Sequence, residues 1–478
     1  MLKKKFEATD KATLSLKRVL GLFTAILLVA GMMIGSGVFK KIIPMSQTGL
    51  SEGGILLAWA IAGIITMFGA FTLAGLSSLT EETGGVYEYL RLSFGNFFSF
   101  MFGWSDFSII GSASIAALGF IFAQTVNTLI PLPNPFESLA HISIADFIFP
   151  FADSGIKLLA IISIILLTIV NYRGAENGGL LSNIITSTKI LGILLIILFG
   201  LFYTGNANTE TIASEIIVAN PLKGTAFISA LFAAMLSAFW AYDGWATISF
   251  ISGEIKNPKK NLPIAIMSGV AIAMTLYILI NFAYMHVLPL EKLASVGQNQ
   301  IGASVVAETL IGSFGKIFIS LLIMISVFGT LNALILGHSR VHFRMAQEKY
   351  FFNNVAKIHP TFQTPYVALL YTMVWSSVLV VSGTFDMLTD MVIFAGFLFY
   401  ALIAVALIKM KRNGTIKVKV IGYPVIPILF ILFSTALIIN TFYIHFLQSL
   451  IGLGLVLIGV PFYFYFKKKK ATSLDIKN

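Results

Sequence analysis

The sequence predicts an all-α integral membrane protein of about twelve transmembrane helices, and three observations carry that expectation. Of its 478 residues, 57% are hydrophobic and only 11% charged, against roughly 25% charged in an average soluble domain. A chain this apolar cannot cover a water-facing surface, so lipid is its solvent. Its charge-poor runs are long enough to cross a hydrocarbon core about 30 Å thick. Lys and Arg crowd alternate connections between those runs.

Taken in order, span 1 (Val19–Phe39) and span 2 (Ile55–Leu79) carry no charge at all. Span 3 (Ser93–Leu129) is interrupted by Asp106, span 5 (Leu181–Tyr203) by Lys189 and span 6 (Gly224–Ser252) by Asp243. Span 4 (Leu158–Tyr172), span 7 (Ile264–Leu288), span 8 (Ile317–Ser339), span 9 (Pro365–Ser382) and span 10 (Met391–Ile408) are uninterrupted. The 47 charge-free residues of Val420–Phe466 hold spans 11 and 12, with a turn near His445–Ser449. With the N-terminus inside, cytoplasmic segments hold 25 Lys and Arg and external segments 6. That bias places both termini in the cytoplasm of an integral plasma-membrane protein. The Lys467–Lys470 run is then a membrane-surface anchor, not a nucleic-acid site. The first apolar run is too long for a signal peptide and has no small-residue cleavage site.

The largest loops, Ile130–Lys157, Pro289–Lys316 and His342–Thr364, are too short for cores of their own. Residues 1–478 therefore form a single transmembrane domain, with Ala303–Leu310 expected as a short surface helix. Cysteine is absent, which excludes disulfides, thiolate metal sites and thiol catalysis.

Spans 1 and 6 contain helix-breaking runs at mid-depth: Gly31-Met-Met-Ile34-Gly35-Ser36-Gly37 and Phe239-Trp240-Ala241-Tyr242-Asp243-Gly244. Paired interruptions at corresponding positions predict a five-plus-five inverted repeat with discontinuous helices, 19–204 and 223–410, followed by two additional helices in 420–466. The glycines also fit a simpler role, letting neighbouring helices approach closely.

A helix broken in hydrocarbon leaves peptide groups unpaired at several kcal/mol each. The outer half of span 1 begins near Ser36–Val38, where free amides and the positive dipole end favour a carboxylate. Span 6 runs the other way, and its outer half ends near Phe239–Ala241, where carbonyls favour an ammonium group. The two breaks present complementary poles to one α-amino acid.

Ionisable residues deep in spans are functional candidates by default. Asp243 either reads a substrate's ammonium or cationic side chain, or caps the inner half of span 6. Lys189 is too deep to reach the interface easily and needs a polar partner; Asp106 is one candidate, and Asp106 is otherwise unassigned. Trp240 is an aromatic gate over the cavity or an ordinary packing residue. The six His lie mostly at span ends or in loops without metal-ligand spacing, so no metal or cofactor is expected.

The run Gly244-Trp245-Ala-Thr-Ile-Ser-Phe-Ile-Ser-Gly-Glu254-Ile-Lys-Asn257-Pro258-Lys-Lys-Asn261-Leu-Pro263 resembles the span 6–7 signature of the L-type amino acid transporter family, within the amino acid–polyamine–organocation superfamily. Ile34-Gly35-Ser36-Gly37-Val-Phe39 resembles its helix 1 break, Glu82-Thr-Gly84-Gly85-Val-Tyr87-Glu-Tyr89 its loop 2–3 motif, and Ser326-Val-Phe-Gly329-Thr330-Leu-Asn332 its helix 8. The resemblance implies a leucine-transporter-like fold and alternating-access exchange or proton-coupled transport of α-amino acids. It implies substrate binding at Ile34, Gly35, Ser36, Gly37, Trp240, Ala241, Tyr242 and Asp243. It also implies that Lys189 takes the place of a sodium ion between spans 1, 5 and 8, with Ser326 or Thr330 as its partner, and hence sodium-independent transport. Asp243 stands where many members have a small residue, in a pattern similar to members that accept cationic as well as neutral amino acids. Members joined by disulfide to a glycoprotein subunit use a loop cysteine that this chain lacks.

Three other classes fit less well. An intramembrane enzyme would need a catalytic constellation, and no His-Glu-x-x-His, phosphate-binding loop or cysteine nucleophile is present. A major-facilitator-type carrier would show a long loop between spans 6 and 7, where Gly253–Leu262 is short. A passive channel would reveal itself by electrical through-flux.

Overall fold

The computed structural model describes residues 18–144, 148–173, 178–204, 222–297 and 300–475, with backbone alone at 178–182 and 472–475. The basic residues Lys3–Lys17 and Lys477, counted above as cytoplasmic, lie outside the described residues. Among the described residues the structure is helical, with isolated bridges at Leu20–Ile255 and Ile144–Ile148 as its only extended pairings.

Among the described residues, eleven helices are long and apolar enough to cross a bilayer, and span 9, Tyr366–Ser382, is a shorter apolar helix of 17 residues. Spans 1, 3 and 10 are mostly buried, whereas spans 5, 11 and 12 expose much of their length. Leu191, Phe202, Leu432 and Ile439 point outward there, as a lipid-facing surface requires. Span 1 lies among spans 5, 7 and 8, span 6 packs on spans 2, 10 and 11, and span 3 lies between spans 4 and 8.

Both expected breaks are present. Span 1 is Leu22–Met33 followed by Gly37–Lys40, and span 6 is Gly224–Tyr242 followed, beyond Asp243–Ala246, by the 3-10 helix Thr247–Glu254. Gly244 stands in the break at φ 98°, a left-handed conformation that Gly adopts without a Cβ penalty. Span 3 widens into a π-turn at Asp106–Ile110, the type of local bulge often associated with functional sites. Span 7 opens with Pro258 at its first turn, after Asn257 in the left-handed region.

Three expectations change. Span 8 is not Ile317–Ser339 but Gly302–Gln347, bent at Ile311 and Gly312. The 303–310 segment is its outer arm and not a free surface helix: Ala303, Ser304, Val306 and Ala307 are buried, and Gly302 abuts Ile42 and Ile43 beyond span 1. The inner extension carries Arg340, His342 and Arg344 on the same helix. Lys40 and Lys41, assigned to an external segment, are buried at 2% and 1% exposure, their charges satisfied inside the bundle.

Candidate substrate cavity between the two breaks

A small cavity separates the breaks, lined by Gly35, Ser36, Gly37, Trp240 and Asp243 of the expected set, together with Thr330. Ile34, Ala241 and Tyr242 do not line it. Ile34 turns its carbonyl toward spans 5 and 8, and the Tyr242 hydroxyl donates to the Trp59 carbonyl at 3.1 Å on span 2. Met32, Met33, Ser114, Leu118, Gly244 and Leu334 complete the wall.

The breaks meet at their closest at Gly37. A Cβ there would lie 2.4 Å from the Ala241 Cα and 2.9 Å from its backbone nitrogen, so only glycine allows the approach. Across this contact the Trp240 indole N–H donates to Ser36 Oγ at 3.1 Å. The ring of Trp240 meets Phe385 edge-on at 5.9 Å, which gives Trp240 specific partners on both sides.

The backbone poles are partly free and partly tied. Among the described residues, the amides of Ser36, Gly37 and Val38 take part in no backbone hydrogen bond outside the helices. On span 6, Asp243 N–H donates to the Trp240 carbonyl at 3.3 Å, the bond of a tightened last turn, and leaves Phe239 without its i+4 donor. The Ala241 carbonyl, expected to be open, is engaged. The Tyr277 hydroxyl of span 7 lies 2.8 Å from the Met33 carbonyl and 2.9 Å from the Ala241 carbonyl, and shares its one proton between them. This fully buried tyrosine joins both breaks. Sequence reading passed over it as one more residue in an apolar run.

Lys189 sits 1% exposed in span 5. Its ammonium donates to the carbonyls of Gly31 (2.9 Å) and Ile34 (3.1 Å) and to Thr330 Oγ1 (2.8 Å). Ser326 Oγ donates to the Ile34 carbonyl at 3.0 Å and has no bond to Lys189 among these. The cation therefore faces the C-terminal carbonyls of the inner half-helix of span 1, the negative end of its dipole. Asp106 is not its partner. That carboxylate is held by His338, Nδ1 to Oδ1 at 2.9 Å, and faces His342 at 3.3 Å.

Asp243 accepts from the Tyr400 hydroxyl of span 10 at 3.0 Å. The 3-10 helix that follows starts at Thr247, with Ala246 at its N-cap position and no side-chain cap bond there.

Layers of contacts cover the cavity at both ends. On the side assigned as external, Lys41 Nζ donates to Asp386 Oδ1 at 2.7 Å and to Thr389 Oγ1 at 2.9 Å, and Lys40 Nζ donates to Gln124 Oε1 at 2.7 Å. Both ammonium groups lie over the Phe385 ring. On the opposite side, Val19 and Leu20 N–H donate to the Glu254 carbonyl, and Lys256 N–H to the Leu20 carbonyl. Arg340 pairs with Glu254 at 3.1 Å, and Arg18 with Glu81 at 2.5 Å. The Arg18 bond, reinforced by Lys259, holds the Glu81 carboxyl below the usual glutamate range. The loop 2–3 glycines dock here too, Gly84 N–H donating to the Phe250 carbonyl at 3.1 Å.

A helical membrane bundle with two opposed breaks around a small cavity has the architecture of a carrier that binds a small solute at mid-depth. A family profile described as amino acid permease matches residues 20–459, and the chain belongs to that family, within the amino acid–polyamine–organocation superfamily. It is 33% identical over 467 residues to the serine/threonine exchanger SteT of Bacillus subtilis, covering 96% of this chain and 98% of that one. It is 27% identical to the human b(0,+)-type amino acid transporter 1, over 91% of this chain and 85% of that protein. It is 29% identical to the human large neutral amino acids transporter small subunit 2, over 94% and 80%. The family and these relatives are membrane transporters, not enzymes.

Proposed function

We propose that this chain exchanges α-amino acids across the plasma membrane without sodium, as a stand-alone carrier with both termini cytoplasmic. The single observation that carries the reading is the cavity between the breaks, where Gly35–Gly37 meet Trp240 and Asp243 around one small space. The substrate carboxylate is held by the Ser36–Val38 amides and the ammonium by the span 6 break with Asp243. Lys189 supplies the positive charge between spans 1, 5 and 8 that a bound sodium ion would otherwise supply. The inverted repeats 19–204 and 223–410 rock about this site, and the helices of 420–466 stay outside it.

The small cavity and the 33% identity to a serine/threonine exchanger favour small neutral amino acids. Asp243 gives the site affinity for cationic ones as well, in keeping with the b(0,+)-type relative. Proteoliposomes loaded with unlabelled serine should take up labelled serine or threonine, and replacing sodium by choline should change nothing. Asp243→Asn should weaken labelled arginine uptake most. Stimulation of the native protein by sodium, or the absence of exchange for every amino acid, would overturn this reading.

A further inference from the structure

Among the described residues four lysines are buried, Lys40, Lys41, Lys157 and Lys189, and they spend their hydrogens unequally. An ammonium group has three donors. Lys189 places all three, on two span 1 carbonyls and Thr330 Oγ1. Lys157 does the same with the carbonyls of Phe149, Pro150 and Val381. Lys41 places two, on Asp386 Oδ1 and Thr389 Oγ1. Lys40 places one, on Gln124 Oε1 of span 3 at 2.7 Å. Its charge is balanced by the Phe385 ring, 4.7 Å from Nζ, and by the nearby Asp386. A ring face occupies at most one further donor, so among the described residues at least one Lys40 N–H has no acceptor. Phe385 links this ammonium to the cavity wall, since its ring meets that of Trp240 edge-on at 5.9 Å. The Asp386 side chain is 40% exposed, and among the described residues its Oδ2 accepts no hydrogen bond. An unspent buried donor and an unspent carboxylate oxygen match the two ends of a zwitterion.

We infer that Lys40 is an entry site for the α-carboxylate of an amino acid arriving from the external side. The substrate uses it before it passes Phe385 and reaches the amides of Ser36–Val38. A buried cation with an unspent N–H is costly on its own. An anionic oxygen removes that cost, so the site favours a carboxylate over an uncharged solute. The substrate's ammonium then faces Asp386. On the opposite cover the cations Arg18 and Arg340 each pair with a carboxylate, Glu81 and Glu254. Carboxylate capture is therefore built into the outer cover, and the two faces of the carrier differ in apparent affinity. The inference rests on the amino-acid carrier reading and adds a step to it.

Sided kinetics in proteoliposomes of uniform orientation test it. Lys40→Met keeps the length of the side chain and removes its charge and its donors. The external KM for serine should rise about tenfold, the scale of one charge-assisted hydrogen bond, while the cytoplasmic KM moves by less than about twofold. Lys40→Arg should bring the external KM back to within about threefold of native, because it restores the donors and the charge. A residue that merely covers the cavity would act in the other direction, since its loss eases entry and lowers the external KM. The native protein supplies a second measurement, which serves if Lys40→Met does not fold. Lactate, with a carboxylate and no ammonium, should inhibit serine exchange at about fivefold lower concentration from the external side than from the cytoplasmic side. An external KM unchanged or lowered in Lys40→Met, an equal rise on both faces, or lactate inhibition equal from both faces would overturn the inference. In each of those cases serine exchange by the native protein would leave the carrier reading standing, whereas exchange of no amino acid at all would remove both.

Discussion

At Gly37 one missing methyl decides whether the two breaks can share a cavity. A Cβ at that position would collide with the backbone of Ala241, and backbone cannot rotate away as a side-chain tip can. Gly37→Val should therefore abolish exchange of every substrate, by about 100-fold or more, because misplacement by an ångström at a binding centre carries that scale of cost. Labelled-serine counterflow with folded protein measures it, and near-native exchange would mean that the breaks do not form the site. Lys189 tests the other half of the geometry. Its three donors hold two span 1 carbonyls and Thr330, and charge-assisted bonds contribute roughly 1.5–3 kcal/mol each. Lys189→Ala should lower turnover at least tenfold and lower the melting temperature in detergent. An unaltered turnover number with unaltered melting would make Lys189 a bystander. Thr330 accepts from Lys189 and also donates toward the same carbonyls, so Thr330→Val should reproduce part of the loss.

Among the elements, the inner end of span 1 is held by a strip of extended backbone and by salt bridges, not by apolar packing alone. Arg18 and Lys259 both reach Glu81, and their charges hold its carboxyl low. A depressed carboxyl contributes fully above its ordinary value of 4.5, and that contribution fades as pH falls through the lower folded value. The latch should thus hold unchanged from neutral pH to about pH 5, and Glu81→Gln should weaken it at every pH. Hydrogen exchange of the Leu20 amide, corrected for intrinsic rate, should accelerate about two- to fivefold in the variant, the scale of an exposed ion pair; equal rates would show that the pair does not hold the latch. The same elements show what the sequence could reveal. Every expected span coincides with a helix, because a bilayer forces long uncharged runs into helices, and the breaks were legible as the Gly35–Gly37 cluster and as the polar Asp243-Gly244 pair inside an apolar run. Helix ends were not. Span 8 carries Arg340 and Arg344 on its inner turns, where their charges pair with Glu254 and Glu88, so a charge-based boundary stopped eight residues too soon. Nor did any local pattern mark the π-turn at Asp106 or the reach of Tyr277 to both breaks. These depend on which helices become neighbours, and that information lies in packing rather than in composition.

For the whole molecule, the decisive feature is that the cavity is covered on both sides at once, by Lys40, Lys41 and Phe385 above and by Leu20, Glu254 and Arg340 below. A carrier in this form must loosen one cover to admit substrate, and the other must stay closed for exchange to be obligatory. The inner cover ties span 1 to the inner part of span 6, while the outer cover ties the end of span 1 to spans 3 and 10. The outer and inner halves of the two broken helices are therefore held by separate sets of contacts, so either set can release while the other holds. The absence of cysteine makes the chain a ready background for testing this. Ser114, buried in the cavity wall on span 3, can be replaced as Ser114→Cys with little change in volume. In proteoliposomes of uniform orientation, a membrane-impermeant thiol reagent added on one side should label that cysteine slowly, and saturating serine should slow labelling by about tenfold. Lys41→Ala, which removes the contact with Asp386, should speed labelling from the external side and leave labelling from the cytoplasmic side unchanged or slower. Equal acceleration from both sides would mean that the two covers open together, and a pathway open at both ends is a channel rather than a carrier.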